Sequence, residues 1–187
     1  MKKFPKVKLK IEELHTEAIL EKLKEGHLDA AIAATPLQID GIKENVLYYE
    51  PFVPYIPKEM DMHTNEKIDI DSLDINKILL LEDGHCLRDQ ALEVCMMAGA
   101  TENPEFQGTS LETLRHMVSA GMGVTLMPYY SVFPNSGSNP PMTYLKFDAP
   151  VPSRKIGLLF RESSQRRDGF LSIANTIRNS LPESTSL

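Results

Sequence analysis

The chain has two cysteines, nine positions apart at Cys86 and Cys95, in contrasting company. The run Glu82-Asp83-Gly84-His85-Cys86-Leu87-Arg88-Asp89-Gln90 makes more sense chemically than structurally. A helix expected to begin near Gly84 puts Cys86 in its first turn, where the positive end of the helix dipole favours a thiolate. Arg88, two residues on, and the adjoining His85 can favour it further. A thiolate is the species that attacks peroxide. Cys95 lies among Ala91, Leu92, Val94, Met96 and Met97, and these apolar neighbours should keep its thiol protonated and less reactive. Each residue also has an ordinary use. A first-turn arginine is usually solvated, His85 could be a cap or a core residue, Asp83 and Asp89 could be helix-end charges, and Cys95 could be a buried structural residue. In a cytosolic chain, cysteines by default stay reduced and structural. Residue chemistry by itself leaves both readings open.

The elements that must position these residues follow from periodicity. Val7, Leu9 and Ile11 alternate with Lys8, Lys10 and Glu12, which predicts a half-buried strand. A helix capped by Thr16 should follow, with Ile19, Leu20 and Leu23 as its stripe and Gly26 at its end. Leu28 to Ala33 then predicts a buried strand, completing a parallel crossover unit. Pro51, Pro54 and Pro57, among Tyr48, Tyr49, Phe52 and Tyr55, argue against a long regular element and for a crossing between two lobes. Ile78 to Leu81 has the continuous apolar character of an interior strand. Thr109 and Glu112 make a capping box before Leu111, Leu114, Met117 and Val118, with Gly121 and Gly123 past the helix end. Val124 to Met127 and Ile156 to Phe160 are further strands, Asn135 to Pro141 is a loop, and Phe170, Ile173, Ala174, Ile177 and Leu181 mark a closing helix. The expected class is α/β, in two lobes crossed near residues 50 and 155, an arrangement whose cleft would suit a small ligand.

Composition narrows the function classes. A chain of 187 residues with 42% hydrophobic and 25% charged residues can bury a sizeable core without disulfides or metals. No stretch approaches the roughly 20 apolar residues that would span a bilayer. The basic N-terminus has no apolar run behind it, so a cytoplasmic protein with no membrane role is expected. The net charge of −6 argues against a nucleic-acid surface on this segment. No metal or cofactor is expected.

The run from Leu81 to Ala91, with a second cysteine nine positions after the first, closely resembles the peroxide-sensing segment of OxyR-type regulators in the LysR family. Thr109-Ser110-Leu111-Glu112-Thr113-Leu114-Arg115 and Ala120-Gly121-Met122-Gly123-Val124-Thr125-Leu126-Met127-Pro128 look like the two stretches that follow in the effector-binding domain of that family. The cysteine segment is the specific part, and a thinner likeness covers nearly the whole chain. The resemblance implies a two-lobed fold like that of periplasmic binding proteins. It divides the chain into residues 1–50 plus 156–187 as one lobe and 51–155, carrying the cysteines, as the other. It also implies that hydrogen peroxide oxidises Cys86 and that Cys95 then closes a disulfide. His85, Arg88 and Asp89 match the motif around the thiol; Thr16 and Arg161 match more loosely, as a hydroxyl near the site and a strand-end arginine facing it.

Implied partners are a second copy of the chain, with a tetramer as an option in the full-length protein, and a glutaredoxin-type or thioredoxin-type reductant. DNA would be reached only through an N-terminal domain expected to lie outside this chain, in a cytoplasmic activator of antioxidant genes. If residues 86 to 95 form one helix, the cysteines stand about 13 Å apart along it on opposite faces, so a disulfide requires the helix to unwind. Two rivals remain: a LysR-type domain binding a metabolite in its cleft with inert cysteines, and a thiol peroxidase. The second is disfavoured because no Cys-x-x-Cys or thioredoxin-like strand order is visible. A stoichiometric sensor, with no enzyme activity, is the expectation.

Overall fold

The computed structural model describes residues 4–5, 7–57, 67–68, 78–83, 86–97, 107–132 and 142–181. Five helices and nine strands are found among them: α1 (Thr16–Glu25), β1 (Ala30–Thr35), β2 (Ile42–Pro57), β3 (Lys67–Ile68), β4 (Ile78–Leu81), α2 (Cys86–Met97), β5 (Gln107–Gly108), α3 (Leu111–Ser119), β6 (Val124–Pro128), α4 (Tyr129–Val132), β7 (Met142–Tyr144), β8 (Lys146–Phe147), β9 (Ser153–Arg161) and α5 (Arg167–Arg178). The main sheet runs β1-β9-β2-β6-β4-β5, with β7 also on β2, while β3 and β8 form a separate parallel pair. The anticipated loop at 135–141 lies outside the described residues.

The strand β2 organises the molecule. It pairs antiparallel with β9 from Ile42 to Pro51, then with β6 from Phe52 to Tyr55 and with β7 from Tyr55 to Pro57. The prolines were expected to break this stretch, yet they sit inside a 16-residue strand. A proline disrupts a ladder only where its missing N–H is needed. Pro51 is the last residue paired with β9 and Pro57 the last paired with β7. Pro54 takes part through its carbonyl, which accepts from the Leu145 amide at 3.1 Å. The change of partner from β9 to β6 thus occurs within a continuous strand.

Two buried clusters flank that change of partner. Leu47, Ile156, Leu158, Phe160, Phe170 and Ala174 form one. The other is larger and draws its buried residues from Phe52 to Phe147, including Leu79, Val118 and Met127. Helix α5 covers the first cluster, stacking Phe170 5.2 Å from Phe160. The Arg178 guanidinium in its last turn donates to the Val46 carbonyl and, at 2.5 Å, to Asn45 Oδ1, beside the irregularity between Val46 and Tyr48. In the second cluster β4 lies parallel to β5 and β6, and all four of its residues are buried, as its unbroken apolar run predicts.

Local signals hold in part. Gly26 ends α1 at φ 87°, a conformation that favours glycine, as anticipated. Thr16 is itself the first helical residue and the N-cap position falls to His15. The cap of α1 is thus one residue earlier than expected and that of α3 one residue later, with Ser110 Oγ accepting from the Thr113 amide at 3.1 Å. The strand expected at Val7–Ile11 does not form. The segment carries no regular structure, and Val7, Leu9 and Ile11 are 40%, 56% and 87% exposed. Alternation shows only that a segment could line a sheet, and no described strand lies alongside this one. The parallel crossover unit expected there is therefore absent from the described residues. Instead β1 is a half-buried edge strand, antiparallel to β9, and lies so close to it that a Cβ on Gly157 would stand 2.8 Å from Thr35 Cγ2.

Candidate functional site: the cysteine helix and its buried ion pair

The cysteine helix begins just past the C-terminal end of β4, an edge where ligands and reactive groups of α/β sheets usually collect. Gly84 and His85, expected in the connecting turn, lie outside the described residues. Leu87, Ala91, Val94 and Cys95 turn into the larger cluster at helical spacing, which fixes the rotation of α2 about its axis. Cys86, the first residue of the helix, is exposed, and both cysteines are free thiols. Cys95 is 2% exposed, and burial pushes its thiol up from the ordinary 9.0 to about 11. Nine helical steps separate the two by about 13 Å and half a turn.

Arg88 and Asp89 stand in the same opening turn as Cys86. The arginine is buried, contrary to the ordinary solvated role, and its Nε lies 3.1 Å from Asp83 Oδ1, with Nη1 3.9 Å from Asp89 Oδ1. Two carboxylates therefore accompany this cation on either side of the residues leading into the helix.

Residue-by-residue reading of the sequence missed a neighbouring network. Glu50 is 3% exposed and pairs across the sheet with Arg154. Its Oε2 accepts from Arg154 Nε at 2.8 Å and lies 2.7 Å from Nη2. Its Oε1 accepts from the Tyr130 amide at 3.2 Å. Nη1 of Arg154 donates to Gln90 Oε1 at 3.4 Å, and Gln90 is one turn beyond Cys86, on the same helical face. Tyr48 packs edge-on against Tyr130, with ring centroids 5.5 Å apart; burial, reinforced by the Glu50 carboxylate, pushes its phenol up. Neither Glu50 nor Arg154 carries a local motif, because what unites them is strand register.

Of the two looser expectations, Arg161 is engaged elsewhere, and Thr16 has no bond to the cysteine helix among the described residues. Thr16 opens α1, which packs on β1 and β9, and among the described residues no hydrogen bond or ion pair connects it to α2. Arg161 was expected to face the site, but its Nη1 donates to the carbonyls of Leu23 at 2.5 Å and Leu28 at 2.7 Å, capping the end of α1. It stands seven residues beyond Arg154 on β9, about 23 Å along the strand. The free carbonyls at a helix C-terminus attract a cation, which accounts for this position. Among the described residues no three His, Cys, Asp or Glu side chains gather as metal ligands would.

The LysR substrate binding domain profile matches residues 1–181. The hydrogen peroxide-inducible genes activator of Pectobacterium carotovorum subsp. carotovorum is 41% identical over 175 residues, covering 94% of this chain and 58% of that protein. The chain thus spans little more than half the length of such relatives. The crystal structure of the reduced form of OxyR superimposes with a TM-score of 0.85 at 36% identity, covering 98% of this chain and 85% of the other. The oxidised form of OxyR superimposes with a TM-score of 0.80 at 39% identity, covering 95% and 84%.

Proposed function

The chain belongs to the LysR substrate-binding domain family, and we propose that it is the redox-sensing regulatory domain of a peroxide-responsive transcription factor. The observation that carries this reading is the arrangement of α2: an exposed thiol at its first residue and a buried one half a turn out of phase near its other end. Likeness to both the reduced and oxidised forms of OxyR supports it.

In the proposed reaction the Cys86 thiolate attacks one oxygen of hydrogen peroxide. The S–O bond forms, the O–O bond breaks, and the departing hydroxide takes up a proton to leave as water. Cys95 then attacks the sulfenic sulfur, its proton leaves with the displaced hydroxide as a second water, and the disulfide closes. One peroxide is consumed per disulfide, so the protein acts as a stoichiometric sensor until a glutaredoxin-type or thioredoxin-type reductant resets it. Arg88, Asp89 and His85 are assigned to the surroundings of the reacting thiol, with Thr16 as a looser member.

The two hydrophobic clusters support a lobe made of residues 1–50 and 156–187 and a second of 51–155. A homodimer, DNA contact through a separate N-terminal domain, and a cytoplasmic setting complete the proposal. No helix among the described residues is long and apolar enough to cross a membrane.

The metabolite-binding alternative would place its effector in a cleft between the two clusters. Two surface hollows, of about 400 and 560 Å³, are each lined by the side chains of a single helix, Asp89 to Met96 in one and Glu17 to Lys24 in the other. Neither is a cleft between the clusters. Mass spectrometry after a brief peroxide pulse tests the reading. Cys86→Ser should take up no oxygen and form no disulfide, whereas Cys95→Ser should accumulate sulfenic acid at Cys86. Equal oxidation of the two variants would refute the assignment.

A further inference from the structure

We propose that Glu50, Arg154 and Gln90 form a latch that holds the cysteine helix in its helical, reduced arrangement and ties it to the strands joining the two clusters; the redox half of this proposal rests on the function proposed above. Glu50 stands where β2 changes partner, one residue before its last pairing with β9 and two before its first with β6. A buried carboxylate is tolerable only when its oxygens are satisfied. Here Tyr130 and Arg154 satisfy them from α4 and β9. The guanidinium is a rigid planar fork. With Nε and Nη2 held by Glu50, the direction of Nη1 is set, and it points at Gln90 Oε1.

Gln90 lies between the two cysteines. Their α-carbons must come within roughly 7 Å to form a disulfide, so the helical turns that contain Gln90 have to rearrange. Whatever oxidation does to the Gln90–Arg154 bond, that bond opposes oxidation by the same free energy, because coupling is reciprocal. At 3.4 Å the bond is long, so its removal should shift equilibria by about threefold to tenfold, the range of an ordinary hydrogen bond.

Gln90→Met tests this in the intact chain. It removes the acceptor at nearly constant length and leaves the Glu50–Arg154 pair in place; Arg154→Lys, which keeps the charge but loses the fork, serves as the second variant. In the reduced protein, hydrogen–deuterium exchange of the α2 amides should accelerate about threefold to tenfold in both. Unchanged exchange overturns the latch whatever the cysteines do. Equilibration against glutathione and its disulfide should then show the Cys86–Cys95 couple displaced toward the disulfide by the same factor, about 15 to 30 mV. Faster exchange with an unmoved midpoint would overturn the coupling to redox state. A wild-type protein that forms no Cys86–Cys95 disulfide would overturn the redox reading itself, and exchange alone would then decide the latch.

Discussion

The two cysteines differ by a half-turn of helix, and that rotation separates an exposed thiol from one held at about 11 by burial. The apolar neighbours of Cys95 made its burial legible from composition alone, whereas the burial of Glu50 was not, because a partner 104 positions away decides it. The raised Cys95 value has a consequence for stability. Its folded value lies above the ordinary 9.0, so the unfolded chain loses this proton first as pH rises. The contribution is therefore complete below pH 9 and is lost as pH climbs through the window up to about 11; a shift of that size is on the order of 2 to 3 kcal/mol. Urea unfolding of the reduced protein at pH 8 and pH 10.5, which covers most of that window, should show the wild type losing about 2 kcal/mol more stability than Cys95→Ala. Parallel losses in the two proteins would mean that Cys95 is not protonated by burial.

At the scale of elements, helix signals located α1, α2, α3 and α5, with boundaries and caps displaced by a residue or so. Ser110, which was not the expected cap, holds the Thr113 amide. Ser110→Ala should therefore destabilise the protein by about 1 kcal/mol, lowering its melting temperature by about 2 to 4 °C, while Thr109→Ala should cost much less. Comparable losses in calorimetry would restore Thr109 to the capping role. The cysteine helix permits a sharper test. Since α2 runs unbroken from Cys86 to Met97, closing the disulfide must cost helix. Far-ultraviolet circular dichroism should lose helical signal when the wild type is oxidised by stoichiometric peroxide and recover it on reduction, with no change in Cys95→Ser. A disulfide formed with the spectrum unaltered would contradict the remodelling mechanism.

On the scale of the whole molecule, two clusters share the strand β2, and the Glu50–Arg154 pair sits at the point of transfer. A regulator that reads this arrangement out to DNA needs a symmetric contact able to reorient two DNA-binding heads together. Sedimentation at high protein concentration should therefore reveal a homodimer whose association differs between the reduced and oxidised forms. A monomer in both states would count against that part of the proposal.

The sequence by itself determined the residue types at the start of α2, the burial of Cys95 and the α/β class. Each of these is written in residue types and short spacings, which act over one or two turns of chain. Only the tertiary structure decided that the proline-rich stretch is a continuous strand, that Val7 to Ile11 has no described strand beside it, and that Arg161 caps α1. It alone brought Arg154 to Glu50 and to Gln90, across 104 and 64 positions of sequence. Strand pairing and ion-pair partners are set by which distant segments meet, and local periodicity carries no record of that meeting.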